Sequence, residues 1–161
     1  MAKTKRQVLV FLLRLVSLVG TVIAAIVMAT SRETANVLSF EFKAKYDDVP
    51  AFKFFVIANV VASVYTLLVL FQSTESSLWR LIVALDVIVT MLLTGSISAA
   101  LAISYVGKKG NDRAGWFPIC DQIPKFCNQA SVALISGFIA VVIYLILVLH
   151  SIHTVLNHLL V

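Results

Sequence analysis

The sequence predicts an all-α membrane protein, a bundle of four transmembrane helices. Two observations carry that reading: a composition too apolar for a water-soluble domain, and four apolar runs of spanning length. A third, a pair of opposite charges inside those runs, indicates how the helices are tied together. Of the 161 residues 60% are hydrophobic and only 13% charged, with a mean hydropathy of +0.99. A soluble domain carries about 25% charged residues. A spanning helix needs roughly 20 predominantly apolar residues, and residues 7–29, 52–72, 80–105 and 131–151 qualify. They leave no room for a separate soluble domain, so residues 1–161 are read as one membrane domain. Only helices and closed barrels satisfy every backbone group in lipid. These runs are too long and too uniformly apolar for the alternating strands of a barrel.

The first run follows Lys3, Lys5 and Arg6 and ends in small residues, as a secretory signal would. A signal core spans only about 7–15 residues. This run is longer and contains Arg14, so it is expected to remain as the first span. The connection at 30–51 is polar and mixed in charge, and the one at 73–79 is a short Ser/Thr-rich turn that makes spans two and three antiparallel neighbours. The loop at 106–130 opens with Gly107 and Gly110 and holds Trp116, Phe117, Pro118, Phe126 and both cysteines. Beyond Lys125 the fourth segment has no formal charge.

Orientation is contested within the chain. A cytosolic N-terminus places Lys3, Lys5, Arg6 and Arg80 inside, but leaves the larger number of Lys and Arg in the two longer loops outside. The cluster flanking the first helix usually dominates, and the cysteines point the same way. Cys120 and Cys127 are the only two, both in the third loop, and a disulfide between them requires an oxidising compartment. Loops 30–51 and 106–130 are therefore expected to be extracellular, and 73–79 and both termini cytosolic.

Arg14 and Asp86 are the most informative pair. An ionised side chain near the bilayer centre costs at least ~2.5–3.5 kcal/mol, so it faces a protein interior and finds a partner. Arg14 lies seven residues past Gln7 and Asp86 six past Arg80. With spans one and three parallel, a rise of about 1.5 Å per residue sets them roughly 10 Å and 9 Å below one membrane face. They can meet at one depth as a structural charge pair. Arg14 shares a helix face with Ser17, Thr21 and Ala25, and Asp86 with Thr90, Ala100 and Ser104, interrupted by Leu93 and Ile97. Nearly opposite Asp86, Gly95, Ala99 and Ala102 form a small-residue surface suited to close helix packing, within the protomer or between protomers. Ser136, Gly137 and Ala140 form a similar group on span four.

The arginine in span one, the aspartate in span three, residues 46–59 (YDDVPAFKFFVIAN) and residues 115–129 (GWFPICDQIPKFCNQ) together resemble the Casparian strip membrane domain protein-like (CASP-like) family of plants. The resemblance covers nearly the whole chain. It implies a four-span plasma-membrane protein related to the MARVEL membrane-domain fold, with cytosolic termini, that forms homo- and hetero-oligomers and acts as a scaffold. The first external loop is unlike the aromatic-rich loop of the strip-building members, which places the resemblance with the CASP-like branch.

Several function classes are set aside. The net charge of +5 comes from scattered residues, with no continuous basic, aromatic-interleaved patch for nucleic acid. Lys3, Lys5 and Arg6 can touch anionic lipids at about 1 kcal/mol each. His150, His153 and His158 lack a carboxylate or cysteine companion, so no metal is expected. The cysteines are spaced C-x6-C rather than C-x-x-C, and no nucleophile, acid pair or phosphate loop suggests catalysis or a cofactor. The expectation is a non-enzymatic scaffold that assembles laterally with itself and its relatives and engages lipids and cell-wall-side proteins. A small channel or transporter using Arg14 and Asp86 is the alternative.

Overall fold

The computed structural model describes residues 2–37, 40–72 and 79–159. Among them are four helices long and apolar enough to cross a membrane, α1 (Ala2–Ala29), α2 (Pro50–Phe71), α3 (Trp79–Lys109) and α4 (Pro124–Leu159). The helices pack in a ring, each against its two neighbours: α1 on α2 and α4, and α3 on α2 and α4. α1 and α3 therefore face each other across one diagonal and α2 and α4 across the other. Most of the Ser/Thr-rich turn expected at 73–79 lies outside the described residues.

Several helix ends reach beyond their apolar runs, and at three of them the reason is capping rather than hydropathy. Pro50 and Pro124 occupy the first helical positions, where a missing N–H costs nothing and φ is preset. Lys108 and Lys109 extend α3 through its last turn, favoured by the negative end of the helix dipole. Gly110 then stops it in the left-handed region at φ 70°, its N–H on the Val106 carbonyl at 2.7 Å. The third loop is consequently shorter than the expected 106–130, and Cys127 stands in the first turns of α4.

The first loop is not irregular. Strands β1 (Arg32–Val37) and β2 (Phe40–Lys45) pair antiparallel with Arg32 opposite Lys45 and Val37 opposite Phe40. A short 3-10 turn, Tyr46–Asp48, leads from β2 into α2. Glu33 of β1 ties this hairpin to the start of α4: its Oε2 accepts the Phe126 N–H at 2.9 Å, satisfying one of the unpaired amides of the first turn. Beneath it Ala44, Phe52, Ile123 and Phe126 are buried together, with the Phe52 and Phe126 rings 5.9 Å apart. The two longer loops thus form one structure over one end of the bundle.

In lipid, helices gain little from burying apolar surface against one another and associate through close packing and polar contacts. α1 and α4 show both. Gly20 lets the helices approach until a Cβ there would sit 3.2 Å from the Ala140 Cβ, and Ser136 Oγ donates to the Gly20 carbonyl at 3.0 Å. Gly137 lies under the buried Phe55 ring, where a Cβ would come within 2.7 Å. The small group on span four is therefore an internal packing surface. Gly137→Ala should lower the stability of the detergent-solubilised protein by about 1–3 kcal/mol, since the added Cβ forces the buried Phe55 ring to shift. Gly95→Ala should leave it unchanged or slightly raised, because a Cβ at Gly95 meets nothing within 4 Å and alanine favours the helix. Paired thermal melts check both.

Candidate functional site

The interior is polar at its centre, and the polarity begins with α1. Arg14, Ser17 and Thr21 recur at helical spacing and are all buried, together with Ala24 and Met28 one or two turns further on. On α3, Asp86, Thr90, Leu93, Ile97 and Ala100 are buried on one face. These faces meet across the bundle. Arg14 Nη1 donates to Asp86 Oδ1 at 3.1 Å and Nη2 to Oδ2 at 2.7 Å, the two-pronged geometry for which a guanidinium is shaped. Asp86 is wholly buried and Arg14 nearly so. The contact is direct and spans the α1–α3 diagonal.

Asp86 has another donor, which sequence reasoning missed. Tyr65 of α2 donates its hydroxyl to Oδ1 at 2.7 Å, with the Ile82 carbonyl 3.1 Å away. The other diagonal is bridged as well. The fully buried Tyr144 of α4 pairs its hydroxyl with that of Thr66 on α2 and lies 3.1 Å from the Ala62 carbonyl. The signal available in the sequence was a tyrosine in the middle of an apolar span, since a phenol in lipid needs a hydrogen-bond partner. Further along, Ser63 Oγ is 2.8 Å from both Thr21 Oγ1 and the Asn59 carbonyl, and the Asn59 side-chain amide donates to Phe55 O at 2.8 Å. Ser17, Thr21, Thr66 and Thr90 return their hydroxyls to carbonyls three or four residues back, as buried hydroxyls on helices do.

The remaining candidate residues lie elsewhere. Gly95 and Ala102 are exposed on the outer side of α3 and Ala99 is half-buried beside them, so this surface is not part of the interior. Cys120 and Cys127 are disulfide-bonded, with Cα atoms 5.7 Å apart. The bond fastens the loop to the start of α4, while the Ile119 and Cys120 N–H groups reach the Gly107 carbonyl at 2.9 and 3.2 Å. Trp116 and Phe117 stand out from this frame, 56% and 85% exposed. His150 and His153 lie on α4, and the side chain of His158 falls outside the described residues, as do those of Lys3, Lys5 and Arg6. Among the described residues no group of three or more metal-ligating side chains converges.

The arrangement can hold four helices in one register; it offers no exposed reactive group at the bundle centre. Fold and interior together define a multi-pass membrane protein whose intramembrane charges are turned inward. The chain belongs to the family described by the Casparian strip membrane protein domain, whose model matches residues 3–143. It is 55% identical over 160 residues to CASP-like protein 1C3 of Populus trichocarpa, covering 99% of this chain and 93% of that protein. To CASP-like protein 1C1 of Arabidopsis thaliana it is 54% identical over 157 residues, 98% of this chain and 96% of that one. CASP-like protein 1C2 of Vitis vinifera is 54% identical over 154 residues, with 96% of each chain covered. No solved structure matches the chain.

Removing one member of a buried ion pair strands the other and costs roughly 3–5 kcal/mol, whereas replacing both by apolar residues is often neutral. Arg14→Leu or Asp86→Leu should therefore sharply reduce folded protein, and the double variant should recover much of the loss. Tyr65→Phe should cost about 1.5–3 kcal/mol, one hydrogen bond to a charged group. Fluorescence-detected size exclusion and thermal melts in detergent measure all four. Single variants as stable as wild type would show that the pair does not hold the bundle.

Proposed function

We propose that this protein is a non-catalytic scaffold of the plasma membrane, with both termini cytosolic, which assembles laterally with itself and related chains and presents its joined outer loops to cell-wall-side partners. The observation that carries the proposal is the division between the two sides of α3. Asp86 is consumed by Arg14 and Tyr65 inside the bundle, while Gly95 and Ala102 lie open on the outside with room for another helix to approach. A small-residue surface facing lipid is the kind that packs helices at close range. The alternative of a channel or transporter requires a charge available to a passing ion. Here the guanidinium and the carboxylate are engaged with each other in both prongs, which favours the structural role.

On this reading Gly95→Leu holds neighbouring backbones apart and lowers the number of copies per assembly, yet leaves the protomer's melting temperature in place. Single-molecule photobleaching in membranes, with a melt of the same variant, separates assembly from folding. Unchanged step counts would exclude this face as the contact. Flux of ions or protons through liposomes carrying the wild-type protein should equal that of empty liposomes, and a flux abolished by Asp86→Asn would favour transport instead.

The outer location of the hairpin and third loop rests on the Cys120–Cys127 bond. Non-reducing mass spectrometry of protein from intact cells should recover the linked peptide, and a membrane-impermeant reductant should open it without lysis. A bond that opens only after permeabilisation would reverse the orientation.

A further inference from the structure

α3 and α4 part near the third loop and leave an open groove of about 610 Å³. That volume is within the range of about 300–1,000 Å³ typical of small-molecule sites. Its walls are mostly apolar, with Leu101 on α3 and Leu134, Ile135 and Phe138 on α4, and its polar side chains are Ser104, Tyr105 and Lys108 on α3 and Ser131 on α4, the last already bonded to the Cys127 carbonyl. We propose that this groove is a binding site for one anionic phospholipid of the adjacent leaflet. An acyl chain lies along the apolar wall, the phosphate meets Lys108 and an ester carbonyl accepts a hydrogen bond from Ser104.

Three observations converge on that occupant. The first is the Ser104 oxygen, which is buried and has no hydrogen-bond partner. On the same helix Thr90, Thr94, Ser96 and Ser98 all turn their hydroxyls back onto carbonyls three or four residues earlier. Ser104 alone among these departs from the habit, in the wall of the groove. A buried hydroxyl without a partner is costly, and a ligand acceptor removes that cost.

The second is the position of Lys108. α3 crosses the membrane from Arg80 to Lys109, 30 residues and so about 45 Å, the thickness of a bilayer with its headgroup layers. Lys108 thus stands at headgroup depth, and no ion pair to it is present among the described residues. The third is the spacing of Ser104 and Lys108. Ser104 lies one turn below Lys108, about 6 Å deeper along the axis. The ester carbonyls of a glycerophospholipid lie at a similar remove beneath its phosphate, and its chains continue downward from there, as Leu134, Ile135 and Phe138 do. A soluble anion would satisfy Lys108 but leave the deeper hydroxyl and the apolar wall unused.

Native mass spectrometry of protein released from nanodiscs of equimolar phosphatidylglycerol and phosphatidylcholine tests the site. Wild type should retain one phosphatidylglycerol over phosphatidylcholine by about fivefold, the effect of one lysine near an anionic headgroup. Lys108→Gln, an exposed and structurally mild change, should erase the preference. Ser104→Ala should weaken retention of both lipids alike, and Ile135→Trp, which fills the groove, should abolish both. Melting temperatures of the variants confirm that they are folded. Absence of a preference in wild type, or its persistence in Lys108→Gln, would overturn the proposal. Displacement of the lipid by excess glycerol phosphate would reassign the site to a soluble anion. A fall in photobleaching steps for Ile135→Trp with lipid still bound would give the groove to a second copy of the chain.

Discussion

The structure depends first on the pairing of Arg14 with Asp86 inside the membrane. Each charge alone carries a penalty of at least ~2.5–3.5 kcal/mol at the bilayer centre, and each helix buries it, with Ser17 and Thr21 beside Arg14 on α1 and Thr90, Leu93 and Ile97 beside Asp86 on α3. Because α1 and α3 are diagonal rather than adjacent, the bond closes only when α2 and α4 are in place between them. Sliding α1 by one turn, about 5.4 Å, would separate both prongs. The pair therefore selects one register and one helix order, which a bundle of uniformly apolar helices would leave undetermined.

What surrounds the pair follows from the same requirement. A carboxylate in a dry interior needs more than one donor, and Tyr65 supplies another from α2. Tyr144 braces the second diagonal through Thr66 and the Ala62 carbonyl. With each diagonal crossed by a polar contact, the four helices cannot rotate independently without leaving a polar group unpaired in lipid. Gly20 and Gly137 then set how close the backbones come. At the loop end, the disulfide and the Glu33 cap do the corresponding work in water, joining the hairpin to the start of α4.

The charge pair was legible because sign, depth and isolation within apolar runs are all written in one dimension. The spans were legible for the same reason, although their ends were not: Pro50, Pro124 and Gly110 mark helix boundaries by backbone geometry, which hydropathy does not register. The hairpin went unread although the run Phe40, Glu41, Phe42, Lys43, Ala44, Lys45 alternates with period two; a polar loop invites no search for strands. Tyr65 and Tyr144 were hidden among apolar neighbours, because a phenol reads as bulk until its hydroxyl is asked for a partner. Helical spacing grouped Ser136, Gly137 and Ala140 and grouped Gly95, Ala99 and Ala102 equally well. It could not say that the span-four group meets α1 and Phe55 while Gly95 and Ala102 of α3 face outward, since that depends on how each helix is rotated in the bundle.

That difference in rotation separates two kinds of specificity. Contacts that determine the fold are polar, buried and mutually dependent, so a change in one propagates to the others. The outer surface of α3 and the α3–α4 groove touch none of them: Gly95 has open space beside it, and Ser104 and Lys108 take no part in the network around Asp86. Residues on these surfaces can therefore be altered with the bundle left intact. The proposed scaffold role calls for that independence, because its associations must be tunable while its own architecture stays fixed. Here the separation arises from placing Asp86 on the inner face of α3, the helix whose outer side exposes Gly95 and Ala102 among uncharged side chains such as Ile88 and Met91.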